Sequence, residues 1–328
     1  MARRLTAATG LLRNPLARVL IGRVLAGVPV VFAAMTLSFM LVHLLPGDPV
    51  NAVLDPTSSP TPEQRENLRH QLGLDGSLPR QFADYAGRVA HGDLGHSIQS
   101  GRAVSTMIGD TIGPSLQLAG AALVLALIAS CAISLIQVST RHRPIRALAT
   151  ILPPASLAFP GYWVGIVLMS IFAFGLGWFP ATGADGLSAL VLPAVTLAIP
   201  ATAFLTRVLS AGLQEALAQP YVLIARAKGA TPRRVVLRHA FRNGLIPTIT
   251  VAGLAISYLL AGAVITETVF ARPGIGRTVV AAVSQHDIPV VQGFVMLFAV
   301  VFVVVNIVID LLYVVADPRI TTGRAALA

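Results

Sequence analysis

The sequence predicts an all-α integral membrane protein with six membrane-spanning helices, and three observations carry that prediction. Of its 328 residues, 55% are hydrophobic and only 12% charged, where a soluble domain carries about a quarter charged residues. Six apolar runs reach the length of about 20 residues that a helix needs to cross a hydrocarbon core about 30 Å thick. The cations collect on alternate sides of those runs, as the positive-inside rule requires. β-barrel spans are excluded, because the runs far exceed about 10 residues and do not alternate in polarity.

Residues 1–23 form a basic N-terminus bearing Arg3, Arg4, Arg13, Arg18 and Arg23. The apolar stretch that follows, 24–45, is too long for the core of a signal peptide. It runs into Pro46-Gly47-Asp48-Pro49 without a small-residue cleavage site, so it is read as an uncleaved first span. The same context argues against Arg3-Arg4 as a twin-arginine export signal. An external loop, 46–114, comes next and carries its own helical signals. Thr61 is an N-cap followed by Pro62 and Glu63 in the first turn, with Leu68 and Leu72 on one face before Gly73. A second helix over 79–90 puts Phe82, Tyr85, Ala86 and Val89 on one face. This loop reads as a small folded cap, or a landing surface for something outside.

Spans 115–138 and 150–174 are joined by a cytoplasmic loop, 139–149, and an external loop, 175–186, leads to span 187–206. The cytoplasmic segment 207–244 has the densest charge in the chain. A helix over 221–228 stops at Gly229, and Thr231-Pro232 restarts another through an N-cap and proline at the first position. Arg226, Lys228, Arg233, Arg234, Arg238 and Arg242 are then exposed on a helix–turn–helix. Anionic lipid headgroups would attract such a strip, but a glycine turn between two short helices favours a docking element. Span 245–266, external loop 267–289, span 290–316 and cytoplasmic tail 317–328 complete the chain.

With the N-terminus inside, 17 of the 24 cations are cytoplasmic and 7 external, whereas Asp48, Asp55, Glu63, Glu66, Asp75, Asp84, Asp93, Asp110, Asp185, Glu267 and Asp287 are external. Both termini are therefore expected in the cytoplasm of a multi-pass plasma (inner) membrane protein. The net charge of +10 is explained by topology, with no nucleic acid partner. Cys131 is the only cysteine, so no disulfide or Cys-based metal site forms within one copy.

Several chemistries are absent. The only lysine, Lys228, stands in Ala227-Lys228-Gly229-Ala230, so no GxxxxGK[ST] phosphate loop exists and the chain does not hydrolyse nucleotide by itself. HExxH and GxSxG are missing too. His91 and His96 flank Gly92-Asp93-Leu94-Gly95; a tight turn capped by Asp93 is the preferred reading, and no metal site or catalytic residue is assigned. Within the spans the only carboxylate or histidine side chains are Asp310 and, near an end, His43, too few for the relay that an ion-coupled secondary carrier usually shows. Such a carrier or channel, working without ATPase subunits, is the alternative reading. Pro29, Pro153, Pro154, Pro160, Pro193, Pro200 and Pro247 interrupt the spans and suggest a bundle with a path that opens.

Residues Ala225-Arg226-Ala227-Lys228-Gly229, then Val235, Leu237-Arg238-His239-Ala240, Arg242-Asn243 and Leu245-Ile246-Pro247, resemble the EAA loop of ABC importer permeases of the dipeptide/oligopeptide/nickel group. Pro46-Gly47-Asp48-Pro49, His91-Gly92-Asp93-Leu94-Gly95 with Ser97, and Glu267-Thr268-Val269-Phe270 with Pro273-Gly274-Ile275-Gly276 match that group's external signatures. Asp287, Pro289, Gln292-Gly293, Asn306, Asp310, Tyr313 and Asp317-Pro318-Arg319 match its last span and tail. Pro220, the Leu223-Ile224 pair and His286 depart from its pattern.

The resemblance implies a type I ABC importer permease fold with a transmembrane core over 115–316. It also implies a chain that binds no cofactor, with ATP and Mg on partner subunits. The implied partners are a second homologous permease, two ATP-binding subunits, an external substrate-binding protein, a short peptide substrate and membrane lipid. It assigns coupling to the ATPase to Tyr221, Ala225, Arg226, Ala227, Lys228, Gly229, Arg238, His239 and Asn243. Asp48, Asp93, Glu267, Phe270, Pro273, Gly274, Gly276 and Asp287 would shape the external gate or meet the binding protein.

Overall fold

The apolar runs become long helices, and most extend past the runs that predict them. The computed structural model describes residues 15–44, 61–71, 76–183 and 186–316. In chain order the helices are α1 (Pro15–Leu44), α2 (Pro62–Gln71), α3 (Leu78–Ala90), α4 (Val104–Ser139), α5 (Arg143–Ser156), α6 (Gly161–Leu168), α7 (Ser188–Leu217), α8 (Pro220–Ala227), α9 (Pro232–Arg234), α10 (Phe241–Val269), α11 (Ile275–Ser284) and α12 (Ile288–Ala316). α6 widens into π-type turns over Met169–Gly175, and α9 does so over Val235–Ala240 before α10. A single antiparallel bridge, His96 to Ala103, is the only extended pairing among the described residues. Among the described residues five helices are long and apolar enough to cross a membrane, and the α5–α6 pair makes a sixth if it counts as one span.

That pair covers the span expected over 150–174, which carries three of the interrupting prolines. The helices are bent by 114° across the break that precedes Gly161. Pro153 and Pro154 remove two backbone donors near the end of α5, and Pro160 sets the entry to α6. The chain turns where its helix hydrogen bonds are already thinned.

Two compact units divide the chain. The first comprises Met1–Gly113 and Gly274–Ile307. Its core packs Val104 of α4, Ile275 and Ala282 of α11, and Val290 and Phe294 of α12, with Met107, Ile108 and Ile112 against them. That packing starts α4 at Val104, well ahead of the run at 115–138, and it orders α11 inside the loop expected over 267–289. α12 approaches α4 and α1 closely: a Cβ on Gly293 would stand 2.4 Å from Val104, and one on Gly27 2.5 Å from Val303.

The second unit comprises Pro114–Pro273 and Val308–Ala328. Its core is alanine-rich, with Ala122 and Ala126 of α4, Ala194, Ala198 and Ala201 of α7, and Ala252 and Ala263 of α10 packed around Leu118, Leu197, Leu205 and Leu259. Lipid tails are as apolar as leucine, so close contact between small residues holds membrane helices together where the hydrophobic effect cannot. Polar side chains add cross-links. Gln137 of α4 donates to the Ala149 carbonyl of α5 at 2.8 Å, and Ser210 of α7 donates to Gln137 Oε1. Ile128, Ile171, Leu254 and Tyr258 are among the large side chains left exposed, as a lipid-facing surface requires.

Candidate functional site

The segment between α7 and α10 builds the most distinctive surface of the second unit. Pro220 opens α8 at its first turn, and Gly229 ends it with φ +80°, a left-handed conformation that glycine adopts without strain. The amide of Gly229 donates to the Arg226 carbonyl at 2.9 Å and that of Ala230 to the Ala225 carbonyl at 3.1 Å, which closes the turn. Thr231 then caps α9, its Oγ1 accepting from the Arg234 amide at 3.4 Å. Val222, Val235, Val236 and Ala240 are buried and anchor the segment.

The opposite face is open. Arg226, Ala227, Lys228 and Gly229 are exposed at the tip, with Arg233, Arg234, Arg238 and Arg242 beyond them. Beside these cations stand Leu223 and Ile224, 66% and 56% exposed. Two large aliphatic side chains in water next to a basic cluster make an amphipathic face that a partner would cover.

Two devices hold this segment to the helices that flank it. Asn243 Nδ2 donates to Tyr221 Oη at 2.9 Å, tying α8 to the start of α10. Where α7 and α10 cross, Gly212 meets Gly244 backbone to backbone: a Cβ on Gly212 would lie 3.1 Å from the Gly244 carbonyl oxygen, and one on Gly244 3.1 Å from the Leu213 amide nitrogen. The crossing sits at the root of the segment, close to both helices that flank it. Of the residues expected to act together, Tyr221 and Asn243 are joined directly, Arg226 to Gly229 form the exposed tip after the half-buried Ala225, and Arg238 and the half-buried His239 lie on the π-type turns.

The residues expected at the external face behave differently, and each unit has its own cluster. In the second unit Glu267, 0% exposed, accepts from Ser115 Oγ at 2.5 Å. Arg272, 2% exposed, donates to Gln117 Oε1 at 2.9 Å, while its Nε and Nη1 have no hydrogen-bond partner. Burial lowers the pKa of the Arg272 guanidinium, and the charge of Glu267 opposes that shift. Phe270 is buried and packs beside Gly165 and Pro273 is exposed.

In the first unit Asp287, 3% exposed, accepts from Ser97 Oγ at 2.5 Å and from the Ile98 amide at 3.1 Å. Gly274 and Gly276 are buried at the start of α11. Asp93 is exposed and accepts from the Gly95 amide at 2.9 Å in a turn where Gly92 and Gly95 have φ +79° and +81°. Asp48 lies outside the described residues. Of the residues expected at the external face, Glu267, Phe270, Gly274, Gly276 and Asp287 are thus buried, whereas Asp93 and Pro273 are exposed.

Sequence reasoning missed the burial of Arg272, which it counted only as one of the seven external cations. It also missed the Gly212–Gly244 crossing, for which the only signal is a glycine at the end of each of two spans.

A family model described as "Binding-protein-dependent transport system inner membrane component" matches residues 122–322, and the companion N-terminal model of that membrane component matches 16–119. The chain belongs to this family. It is 36% identical over 300 residues to the glutathione transport system permease protein GsiC of Escherichia coli strain K12, covering 92% of this chain and 97% of the relative. The GsiC of Shigella flexneri serotype 5b matches with the same identity and coverage. Among solved structures, the MetNI methionine ABC transporter in an inward-facing conformation matches with TM-score 0.55 and 15% identity, over 64% of this chain and 96% of that one. An amino acid ABC transporter crystallised with histidines matches with TM-score 0.51 and 15% identity, over 63% and 93%.

At those identities the structural likeness speaks for the fold alone, that of a type I ABC importer permease. Family membership establishes a multi-pass inner-membrane permease of an ABC importer, whose ATPase activity resides on separate subunits. The rival reading as a self-sufficient secondary carrier falls with it.

Proposed function

We propose that this permease carries short peptides across the plasma membrane by alternating access, paired with a second homologous permease, two ATP-binding subunits and an external substrate-binding protein. ATP and Mg bind to the partner subunits, and both termini of this chain lie in the cytoplasm. The observation that carries the coupling assignment is the exposed tip of α8, with Leu223, Ile224, Arg226 and Lys228 facing out and the Gly229 turn behind them. The tip docks in a groove of the ATP-binding subunit. When nucleotide closes that subunit, α8 moves with it, and the Tyr221–Asn243 bond and the Gly212–Gly244 crossing pass the displacement to α7 and α10. Asp93 and Pro273 meet the binding protein, while Glu267 and Asp287 hold the segments around them in shape.

A peptide cargo is supported by the relatives named as glutathione permeases, glutathione being a tripeptide. The assembled complex in proteoliposomes, given binding protein inside or outside and radiolabelled di-, tri- and pentapeptides, tests it. Uptake of at least one length class that requires both ATP and the binding protein is expected. Accumulation of free amino acids or of metal complexes, with no peptide uptake, would overturn the cargo assignment and leave the permease class intact.

A further inference from the structure

The helix α3 belongs to a segment that reads from sequence as external, yet its packing partners lie within a membrane-spanning stretch. Phe82 sets its ring edge-on to Phe32 and Phe39 of α1, with centroids 5.9 and 5.3 Å apart. Tyr85 lies against Phe39 at 6.1 Å and donates from its hydroxyl to Ser38 Oγ at 3.4 Å. The carbonyl of Ser38 also accepts from Gln292 Nε2 of α12 at 3.2 Å.

Phe32, Ser38 and Phe39 all fall inside the apolar stretch Leu20–Met40 of α1. Phe32 stands eight residues before Met40, about 12 Å along the helix at about 1.5 Å per residue. A helix whose aromatic side chains reach that depth cannot stand clear of the bilayer. Burial pushes the Tyr85 phenol above its ordinary range, as a hydroxyl held away from water should be.

The surface that α3 leaves uncovered is segregated in the same sense. Its charged residues Arg80, Asp84 and Arg88 recur at i, i+4 and i+8 on one stripe, and all three are exposed. The other exposed flank carries Pro79, Ala83 and Ala90, without a polar atom on any side chain. One stripe suits water and the other suits acyl chains. That is the pattern of a helix lying in the plane of a membrane interface, with its apolar side at the headgroup–acyl boundary.

We infer that α3 is an interfacial helix: it lies in the bilayer boundary at the C-terminal end of α1, with the Pro79–Ala83–Ala90 flank in contact with lipid and the Arg80–Asp84–Arg88 stripe in water. The segment after α1 is then anchored to the membrane surface as well as to the protein. The inference stands on α1 as a spanning helix and is independent of the cargo.

Site-directed spin labelling of the full importer complex in lipid nanodiscs tests this. In a Cys131→Ser background, single variants Ala83→Cys and Ala90→Cys report the apolar flank, and Asp84→Cys and Arg88→Cys the charged stripe. All four positions are exposed, and Pro79→Cys and Arg80→Cys serve for any variant that fails to assemble. Oxygen, which concentrates in lipid, is expected to relax the labels at 83 and 90 several-fold more effectively than water-soluble chromium oxalate, with the order reversed at 84 and 88. Dominance of chromium oxalate at all four positions would place α3 in water and overturn the inference. Protection of 83 and 90 from both reagents would show that protein covers this flank, and would overturn it equally.

Discussion

Asn243 and Asp287 show how single side chains fix the two faces of this permease. The Asn243–Tyr221 bond is exposed and joins two neutral groups, so its net contribution to stability is about 1 kcal/mol. Its value is geometric, since it fixes α8 against α10. Tyr221→Phe is expected to leave thermal stability of the solubilised complex nearly unchanged while lowering peptide uptake per ATP hydrolysed. Parallel measurements of uptake and phosphate release read that ratio. Asp287 is the opposite case. Its buried carboxylate serves Ser97 and the amide of Ile98, and bonds to a charged group are worth about 1.5–3 kcal/mol. Asp287→Ala should lower the melting temperature of the complex, with Asp287→Asn between it and wild type. Arg272 differs again, because it is buried with Nε and Nη1 unpaired while the charge of Glu267 favours its ionised form. Removing Glu267 takes away the charge that opposes the lowered pKa and leaves the buried Ser115 hydroxyl without its acceptor, which costs about 1–3 kcal/mol. Glu267→Ala is therefore expected to destabilise the complex more than Asp287→Asn.

At the scale of elements, the crossing of α7 and α10 decides how the segment between them behaves. Gly212 and Gly244 let the two backbones meet, and each is closed in by backbone atoms that cannot swing aside. Gly244→Val should force the helices apart, at an overpacking cost of about 1–3 kcal/mol, and uncouple transport from hydrolysis. A Gly229→Ala change, at a site with no atom within 4 Å but φ +80°, should instead strain only the turn. Disulfide trapping across α7 and α10 would report the first displacement and not the second.

Local signals made some elements legible and not others. The start of α9 was readable because Thr231-Pro232 specifies its own cap, and the 92–95 turn because Asp93 bonds two residues on. α4 begins at Val104 because of contacts with α11 and α12, which no window of sequence holds. Glu267 and Asp287 read as exposed loop acids since the groups they bind, Ser115 and Ser97, lie 152 and 190 residues away. The third span looked continuous by hydropathy, and only the summed effect of Pro153, Pro154 and Pro160 breaks it.

As a permease of this family, the whole molecule works with ATPase activity that resides on separate subunits. Hydropathy finds the apolar helices and charge finds the exposed basic strip between α7 and α10. On the proposed function, the exposed tip of α8 is the contact through which a partner acts. The measurement that bears most directly on this account compares wild type with Arg226→Glu and with a Leu223→Asp/Ile224→Asp double variant, in the complete complex reconstituted with its binding protein. Both changes lie on exposed side chains, so folding is expected to survive. ATP-driven peptide uptake should fall by about tenfold or more, equivalent to about 1.4 kcal/mol of lost coupling, together with weaker retention of the ATP-binding subunits on purification. Uptake and subunit retention both at wild-type level, with equal amounts of permease in the membrane, would contradict the docking role of α8.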